Sequence, residues 1–548
     1  MLYFGAEAKV SKRPKAAVRQ QQGRSGKVNR SLFVAGALLI GANAMACEIS
    51  TFEQLAAESP YGVTIASVDV VVDGPGHCRV EGMIANAENG QSRIRFRLSL
   101  PDAASWNGKY LVVGNAGTAG SFQSEARARM GLQLGYATGQ TDTGHTRQGA
   151  EDWLMKETAT GEMGPNHTAI QDFAHRAIHL TNVVGEQLIN GFYATAPEQK
   201  YYFGCSTGGR QGLAAMQRHP SDFDGIIAGA PVFSLPRLNM SQLWAAQQVA
   251  ALEADRELLS ADQLNLLRDS AVAACDADDG VADQIIDNPR QCGVEPEALL
   301  CAGSESPPAC LTDAQVDFVS TIYEGPISAA GERIYPGRMP GSEGPVGMGA
   351  MGGWSDLLTP NCANDTGTTR CDLVSRAWYS NPDEDVLNDF SIDDPEDVAF
   401  ADSSYYSRAV RADNPDVTPF VQRGGKAILY HGWADTSVTP ITTIKFYEAM
   451  EDTVSRKRGE EDFTDHVRLF LGPGMGHCGG GVGPNNYALA ALEAIDAWVE
   501  EGRAPDSIVV SHDQRNMTRP WCPYPQVARL KEPGLDSNEA ENFVCVNP

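Results

Sequence analysis

Hydrophobic positions change period repeatedly along this chain. SRIRFRLSLP (92–101) alternates apolar and polar residues with period two and predicts a half-buried strand. GKYLVVGNAG (108–117) is a continuous apolar run ending in glycines, the pattern of a strand buried on both faces. GYATGQTDTGH (135–145) predicts a further strand running into a polar loop. In AIQDFAHRAIHLTNVVGEQLINGF (169–192) the apolar residues recur at three- and four-residue steps, which predicts a helix. KYYFG (200–204) then predicts a strand, GGRQGLAAMQRHP (208–220) a helix that Pro220 helps to end, and FDGIIAGAP (223–231) the next strand. The strand-helix-strand-helix order predicts an α/β fold, a doubly wound sheet with helices on its faces.

The alternation stops between about 235 and 422. This stretch holds six cysteines, many prolines and glycines, and acidic runs such as SIDDPEDVAFAD. It is too long for a loop, so it is expected to be an inserted, disulfide-rich lid domain. The pattern resumes with strands at GKAILYHGWAD (425–435) and HVRLFLGPGMGHC (466–478), then the helix NYALAALEAIDAWVEEG (486–502). The catalytic domain is therefore expected to comprise 47–234 and 423–548, split by 235–422.

The first 46 residues follow another pattern. Eight Lys/Arg and the single acid Glu7 precede the uncharged run SLFVAGALLIGANAMA, which ends in Ala44-Met45-Ala46. A basic region, an apolar core and a small-residue site are the order of an export signal, predicting a secreted or periplasmic protein without stable membrane insertion. Acylation of Cys47 as a lipoprotein is the weaker alternative, because Ala44-Met45-Ala46 is a poor lipobox. A net charge of −27 argues against a nucleic-acid partner, since phosphate binding needs a basic face. In an exported chain the twelve cysteines read as up to six disulfides. Local pairs are available at 275/292, 301/310, 362/371 and 522/545, although spacing alone leaves the connectivity open.

The chemistry concentrates at YYFGCSTGGRQG (201–212). Gly204-Cys205-Ser206-Thr207-Gly208 is a G-x-S-x-G placed between a strand and a helix, the setting of a sharp turn that exposes a serine. The bland alternative is a glycine-rich turn with an inert serine. A serine nucleophile needs a base, and the base an orienting acid, following it in the chain in the order Ser, Asp/Glu, His. Asp435, past the strand in KAILYHGWAD, and His477, in the glycine loop of GPGMGHCGGG, meet that order. His145, His175, His179 and His431 could each be a core or supporting residue, and His431, beside the acid strand, is also the rival base. Cys205 precedes Ser206 and Cys478 follows His477. A disulfide holds its Cα atoms about 5.5 Å apart, so a Cys205–Cys478 bridge would clamp nucleophile to base. Cys205 is then structural, and a cysteine hydrolase using it is the alternative to be excluded. The oxyanion donors expected are the N–H of Thr207 and one from GNAGTAGS, Gly117 with Ala116 as the near alternative.

The Cys-Ser, Asp, His-Cys order, together with GYATGQTDTGH, YYFGCSTGGRQGL, FDGIIAGAP, HGWADTSVTP and GMGHCGGG, resembles the tannase and feruloyl esterase family over nearly the whole exported chain. The resemblance implies an α/β-hydrolase fold, the triad Ser206, Asp435 and His477, and disulfides 47/78, 205/478, 275/292, 301/310 and 522/545, with 362/371 as an additional one. It also bears on CDADDGVADQIIDNPRQC (275–292), where spacing alone leaves a solvated acidic turn and a hard-cation loop equally open. Val281 stands where an EF-hand needs glycine, so this is no EF-hand. The resemblance implies structural Ca²⁺ held by the side chains of Asp276, Asp279 and Asp283 and the carbonyls of Val281 and Ile285. The expected substrate is a small aromatic ester of feruloyl, galloyl or terephthalate monoester type, with no organic cofactor. In the insertion, Trp354, Trp378 and Tyr379 are candidate aromatic walls and Arg370 and Arg376 candidate carboxylate clamps. A non-catalytic binding protein that keeps a hydrolase fold is the alternative in another class.

Overall fold

A computed structural model describes residues 46–85, 92–146, 153–344, 353–355, 357–358, 374–379, 381, 385–458, 461–512 and 514–548. The export segment, Cys362, Cys371 and Arg370 lie outside the described residues. Every strand expected from the periodicity is present. Ile94–Pro101 is β3, Lys109–Val113 β4 and Ala137–Thr141 β5, after an N-terminal pair, β1 (Val63–Val71) and β2 (His77–Ile84). A short hairpin of β6 (Met155–Glu157) and β7 (Met163–Pro165) precedes β8 (Gln199–Cys205), β9 (Gly225–Gly229), β10 (Lys426–Gly432) and β11 (Val467–Gly472).

Nine of these strands form one sheet in the order β1-β2-β3-β5-β4-β8-β9-β10-β11. β1, β2 and β3 run antiparallel, as does the β3/β5 pair, while β5, β4, β8, β9, β10 and β11 are parallel. The sheet is thus doubly wound in its parallel half and carries an antiparallel edge. Alternate residues of the central strands feed different cores. Tyr110, Val112, Tyr202, Ile226 and Leu429 pack into one, and Leu111, Val113, Tyr201, Phe203, Ile227 and Ile428 into the other, on opposite faces. The helix Ala488–Glu501 closes the second core with Ala491, Leu492, Ile495 and Trp498, spaced at one, three and three residues.

The segment predicted as one helix runs from His167 to Tyr193 and contains a π-turn at Asp172–Arg176, where Asp172 is buried against Arg176 and Ser92. Residues of the 235–422 stretch build a further core together with Ala119, Leu154, Met155, Ile170, Phe173 and Ala174. The described residues belong to one compact unit. After the last helix come two small antiparallel pairs, β12 (Ile508–His512) with β13 (Met517–Trp521) and β14 (Val527–Leu530) with β15 (Phe543–Val546). Five disulfides join Cys47–Cys78, Cys205–Cys478, Cys275–Cys292, Cys301–Cys310 and Cys522–Cys545, matching the expected pairs within the described residues. No helix among those residues is long and apolar enough to cross a membrane.

Candidate active site

β8 ends at Cys205, and Ser206 turns the chain into the helix Thr207–Arg218 with φ 64° and ψ −120°. This left-handed backbone is costly for a non-glycine residue, and its neighbours hold it: Ser206 N–H donates to Gly229 O at 2.9 Å. The motif glycines are needed for close approach. A Cβ at Gly204 would lie 2.5 Å from the Gly208 carbonyl, and one at Gly208 would lie 2.9 Å from Asn115 O.

The other two residues arrive on neighbouring strand ends. β10 delivers Asp435 three residues past Gly432, and β11 leads into the loop bearing His477. His477 Nε2 lies 2.9 Å from Ser206 Oγ, and His477 Nδ1 lies 2.6 Å from Asp435 Oδ2. Asp435 is buried, and its Oδ1 accepts the N–H groups of Ser437 and Val438, both at 2.9 Å. Burial alone would raise its carboxyl, but the His477 charge and hydrogen bonds from His431 and His477 outweigh that and hold it below the usual carboxylate range. The Cys205–Cys478 bridge, with Cα atoms 5.9 Å apart, joins the residues beside nucleophile and base. There is no free cysteine among the described residues, so Cys205 carries no nucleophilic thiol.

Thr207 opens the helix, so its N–H has no acceptor within it. Ala116 N–H donates to Gln123 Oε1 at 2.6 Å and is thereby engaged; Gly117, at φ 55°, is held through its carbonyl, which accepts Thr207 Oγ1–H at 2.6 Å. This favours Gly117 over Ala116 as the second donor. Two side chains not singled out in the sequence brace the loop, Gln211 Oε1 accepting Asn115 N–H at 3.0 Å and Asn115 Nδ2 donating to Thr141 O at 2.7 Å. His145, expected as a core or supporting residue, bonds Thr118 O through Nε2 at 2.8 Å.

The remaining histidines separate. His431 bonds Asp435 Oδ2 at 3.1 Å, while the contact with Ser206 Oγ is made by His477. His175 and His179 lie with His219 and Asp222, whose donor atoms cluster within 4.8 Å for His179, His219 and Asp222. The His179 and His219 rings are stacked at 3.9 Å with 9° between their planes. An ion in the plane of one ring is then out of the plane of the other, so the group reads as a polar clasp and not a metal centre. Trp354 and Trp378, considered as pocket walls, are buried in the core of the inserted stretch, because their large apolar rings supply its packing. Tyr379 packs on Phe400, and Arg376 is half-buried. Val232, Leu238, Tyr335 and Val438 form a small buried apolar cluster, tied to the triad by Val232 N–H on Ser206 O at 3.4 Å and Val438 N–H on Asp435 Oδ1 at 2.9 Å.

In the acidic loop Asp276 Oδ1 accepts the N–H groups of Asp283 and Ile285, and Asp279 Oδ1 that of Val281. Burial, reinforced by Asp283 and Asp276, raises the Asp279 carboxyl to about 6. Asp287, missed in the sequence, is raised to about 8 by burial and by Asp279 and Asp283. The opposing charges are Arg519, paired with Asp283, and Arg515, bonded to the Asp283 carbonyl. Mutually repelling hard oxygens around one loop fit a hard cation.

The sequence profile of the family described as tannase and feruloyl esterase matches residues 78–546. This chain belongs to the tannase and feruloyl esterase family. Its relatives include an uncharacterised esterase of Xanthomonas campestris, 33% identical with 94% of each chain covered. The mono(2-hydroxyethyl) terephthalate hydrolase of Piscinibacter sakaiensis is 32% identical, covering 86% of this chain and 85% of that one. The crystal structure of feruloyl esterase B from Aspergillus oryzae superposes with a TM-score of 0.75 at 27% identity, over 91% of this chain and 99% of that one. Membership of this family makes the chain a carboxylic ester hydrolase of α/β-hydrolase type.

Proposed function

We propose that this family member is an exported serine esterase that cleaves small esters of aromatic carboxylic acids through an acyl-enzyme. The observation that carries the reading is the unbroken line Ser206 Oγ, His477 Nε2, His477 Nδ1, Asp435 Oδ2, at 2.9 and 2.6 Å. Ser206 attacks the ester carbonyl as His477 takes its proton; the N–H groups of Thr207 and Gly117 receive the developing oxyanion. His477 returns the proton to the leaving alcohol, then activates the water that releases the acid. Asp435 holds the imidazole in the required tautomer and stabilises its charged form. The names of the relatives support feruloyl, galloyl or terephthalate acids as the acyl group.

The stretch 235–422 acts as the lid over this site, and the disulfides support export into an oxidising compartment. Asp276, Asp279 and Asp283, with the carbonyls of Val281 and Ile285, hold a structural calcium ion. Arg519, Arg515 and the packing of Val281 against Cys522 and Phe543 support its task, fastening the inserted stretch to the C-terminal strands.

The test is hydrolysis of methyl gallate, methyl ferulate and mono(2-hydroxyethyl) terephthalate by the exported chain and by Ser206→Ala. Turnover of at least one ester, reduced by about 10⁴-fold or more in the variant, is expected. No turnover of any by folded protein would make the chain a binding protein on a hydrolase fold.

A further inference from the structure

Asp435 Oδ2 accepts from two imidazoles. Opposite His477, His431 Nε2 lies 3.1 Å from the same oxygen and 2.8 Å from Val438 O, and His431 Nδ1 lies 2.8 Å from Thr443 Oγ1. The partners assign the tautomer. A backbone carbonyl only accepts, so Nε2 carries the proton and shares it between Val438 O and Asp435 Oδ2; Nδ1 is left to accept the Thr443 hydroxyl. His431 is fully buried, so these bonds have no water to replace them. Asp435 thus receives four donors, two on each oxygen, which fills the capacity of an ionised carboxylate. The side chain also links three elements: the end of β10, the acid loop, and the helix Pro440–Arg458 that carries Thr443.

We infer that His431 is a positioning residue that orients Asp435 toward His477 and sets the pH at which His477 becomes a base. The inference rests on the serine-esterase reading above. A carboxylate that shares Oδ2 with a second donor pulls less strongly on the His477 imidazolium, so the base becomes neutral at lower pH than it would beside an undivided acid. The rigid bonds to Val438 and Thr443 keep the carboxylate plane turned to the base. This separates the two histidines by role: His477 exchanges protons with Ser206, whereas His431 bonds Asp435, Val438 and Thr443.

The experiment is the pH profile of kcat/KM, with kcat and KM measured separately, for the wild type, His431→Phe, His431→Gln and Thr443→Val on one aromatic ester. Phe removes all three hydrogen bonds and keeps a ring. Gln offers an amide N–H to Asp435 and a carbonyl to Thr443. For His431→Phe a loss in kcat of about 10- to 100-fold is expected, with KM within about twofold and the acid limb moved to higher pH. Gln restores the limb and most of kcat, and Thr443→Val moves the limb in the same direction by less. If His431→Phe fails to fold, the Gln and Thr443→Val profiles decide. An acid limb that stays in place in every folded variant overturns the inference, whatever happens to kcat. Ser206→Ala, measured in parallel, keeps the two readings apart: activity surviving there sinks the serine mechanism itself.

Discussion

Replacing Cys205 and Cys478 together by alanine separates two tasks of one bridge. The disulfide closes a sequence separation of 273 residues. The loop-closure relation assigns such a crosslink about 5.5 kcal/mol at 25 °C, and the shorter bridges inside the loop alter this little because the dependence is logarithmic. Against a total stability of roughly 5–15 kcal/mol that is a large fraction, so the guanidinium midpoint is expected to fall steeply, with a steeper transition because the unfolded chain exposes more surface without the crosslink. The effect on catalysis is argued separately. Ser206 and Cys478 both hold left-handed backbone, at φ 64° and 61°, on either side of the bridge. Without the bridge the His477 loop keeps other anchors: Tyr487 Oη donates to Cys478 O at 3.0 Å, Ala434 N–H to Met475 O at 2.9 Å and Gly476 N–H to Gly480 O at 3.2 Å. The imidazole therefore loosens without leaving, and a misplacement on the order of 1 Å costs about 100-fold. The expected result is kcat lower by about 10- to 100-fold with KM little changed, measured below the melting range. A lower midpoint with kcat within twofold of wild type would refute the positioning argument and leave the bridge as a constraint on the unfolded chain alone.

Two further outcomes follow from electrostatics. Chelation with EGTA is expected to lower the melting temperature, calcium to restore it, and Asp279→Asn to abolish the difference, because the loop carboxylates repel one another unless a cation joins them; equal melts with and without calcium would dismiss the ion. Burial, as the leading cause, holds His145 and His219 at about 4 and His175 at about 3. The unfolded chain then binds more protons than the folded one from about pH 6.5 downward, so this contribution is complete above that pH and is lost as pH falls toward 4. Asp172, raised to about 6 by burial, works in the opposite sense over part of that window. The histidine term is therefore read as a difference: stability of His219→Gln plotted against pH between 4 and 7 should fall less steeply than wild type, and parallel curves would refute it.

What could be read from the chain and what could not differ in how far apart the interacting residues lie. The strand, turn and helix around Ser206 are written in twelve consecutive residues, and Asp435 and His477 each sit just past an apolar run, so order and local context sufficed. β1 was not anticipated because only part of it is covered: Val70 is 67% exposed, and the alternation that marks a strand depends on one face being buried. Trp354 and Trp378 show the limit from the other side, since an aromatic residue in the 235–422 stretch reads the same whether it walls a pocket or fills a core. Arg210 lies within the recognised motif, yet its guanidinium is buried and bonded to the carbonyls of Phe173, Ala174 and Val410, partners that only folding brings near. His431 and His477 make the point most directly. Both lie on or just past the end of an apolar strand, both are histidines, and both reach the same oxygen of Asp435. The separation of roles comes from which of them faces Ser206, and that is decided by β10 and β11 lying side by side in parallel, with Gly432 opposite Gly472. The acid loop then lies between the two imidazoles, one on the strand before it and one on the loop after the neighbouring strand. A sequence can present two candidate bases; only the register of the sheet assigns one to the proton and the other to the carboxylate.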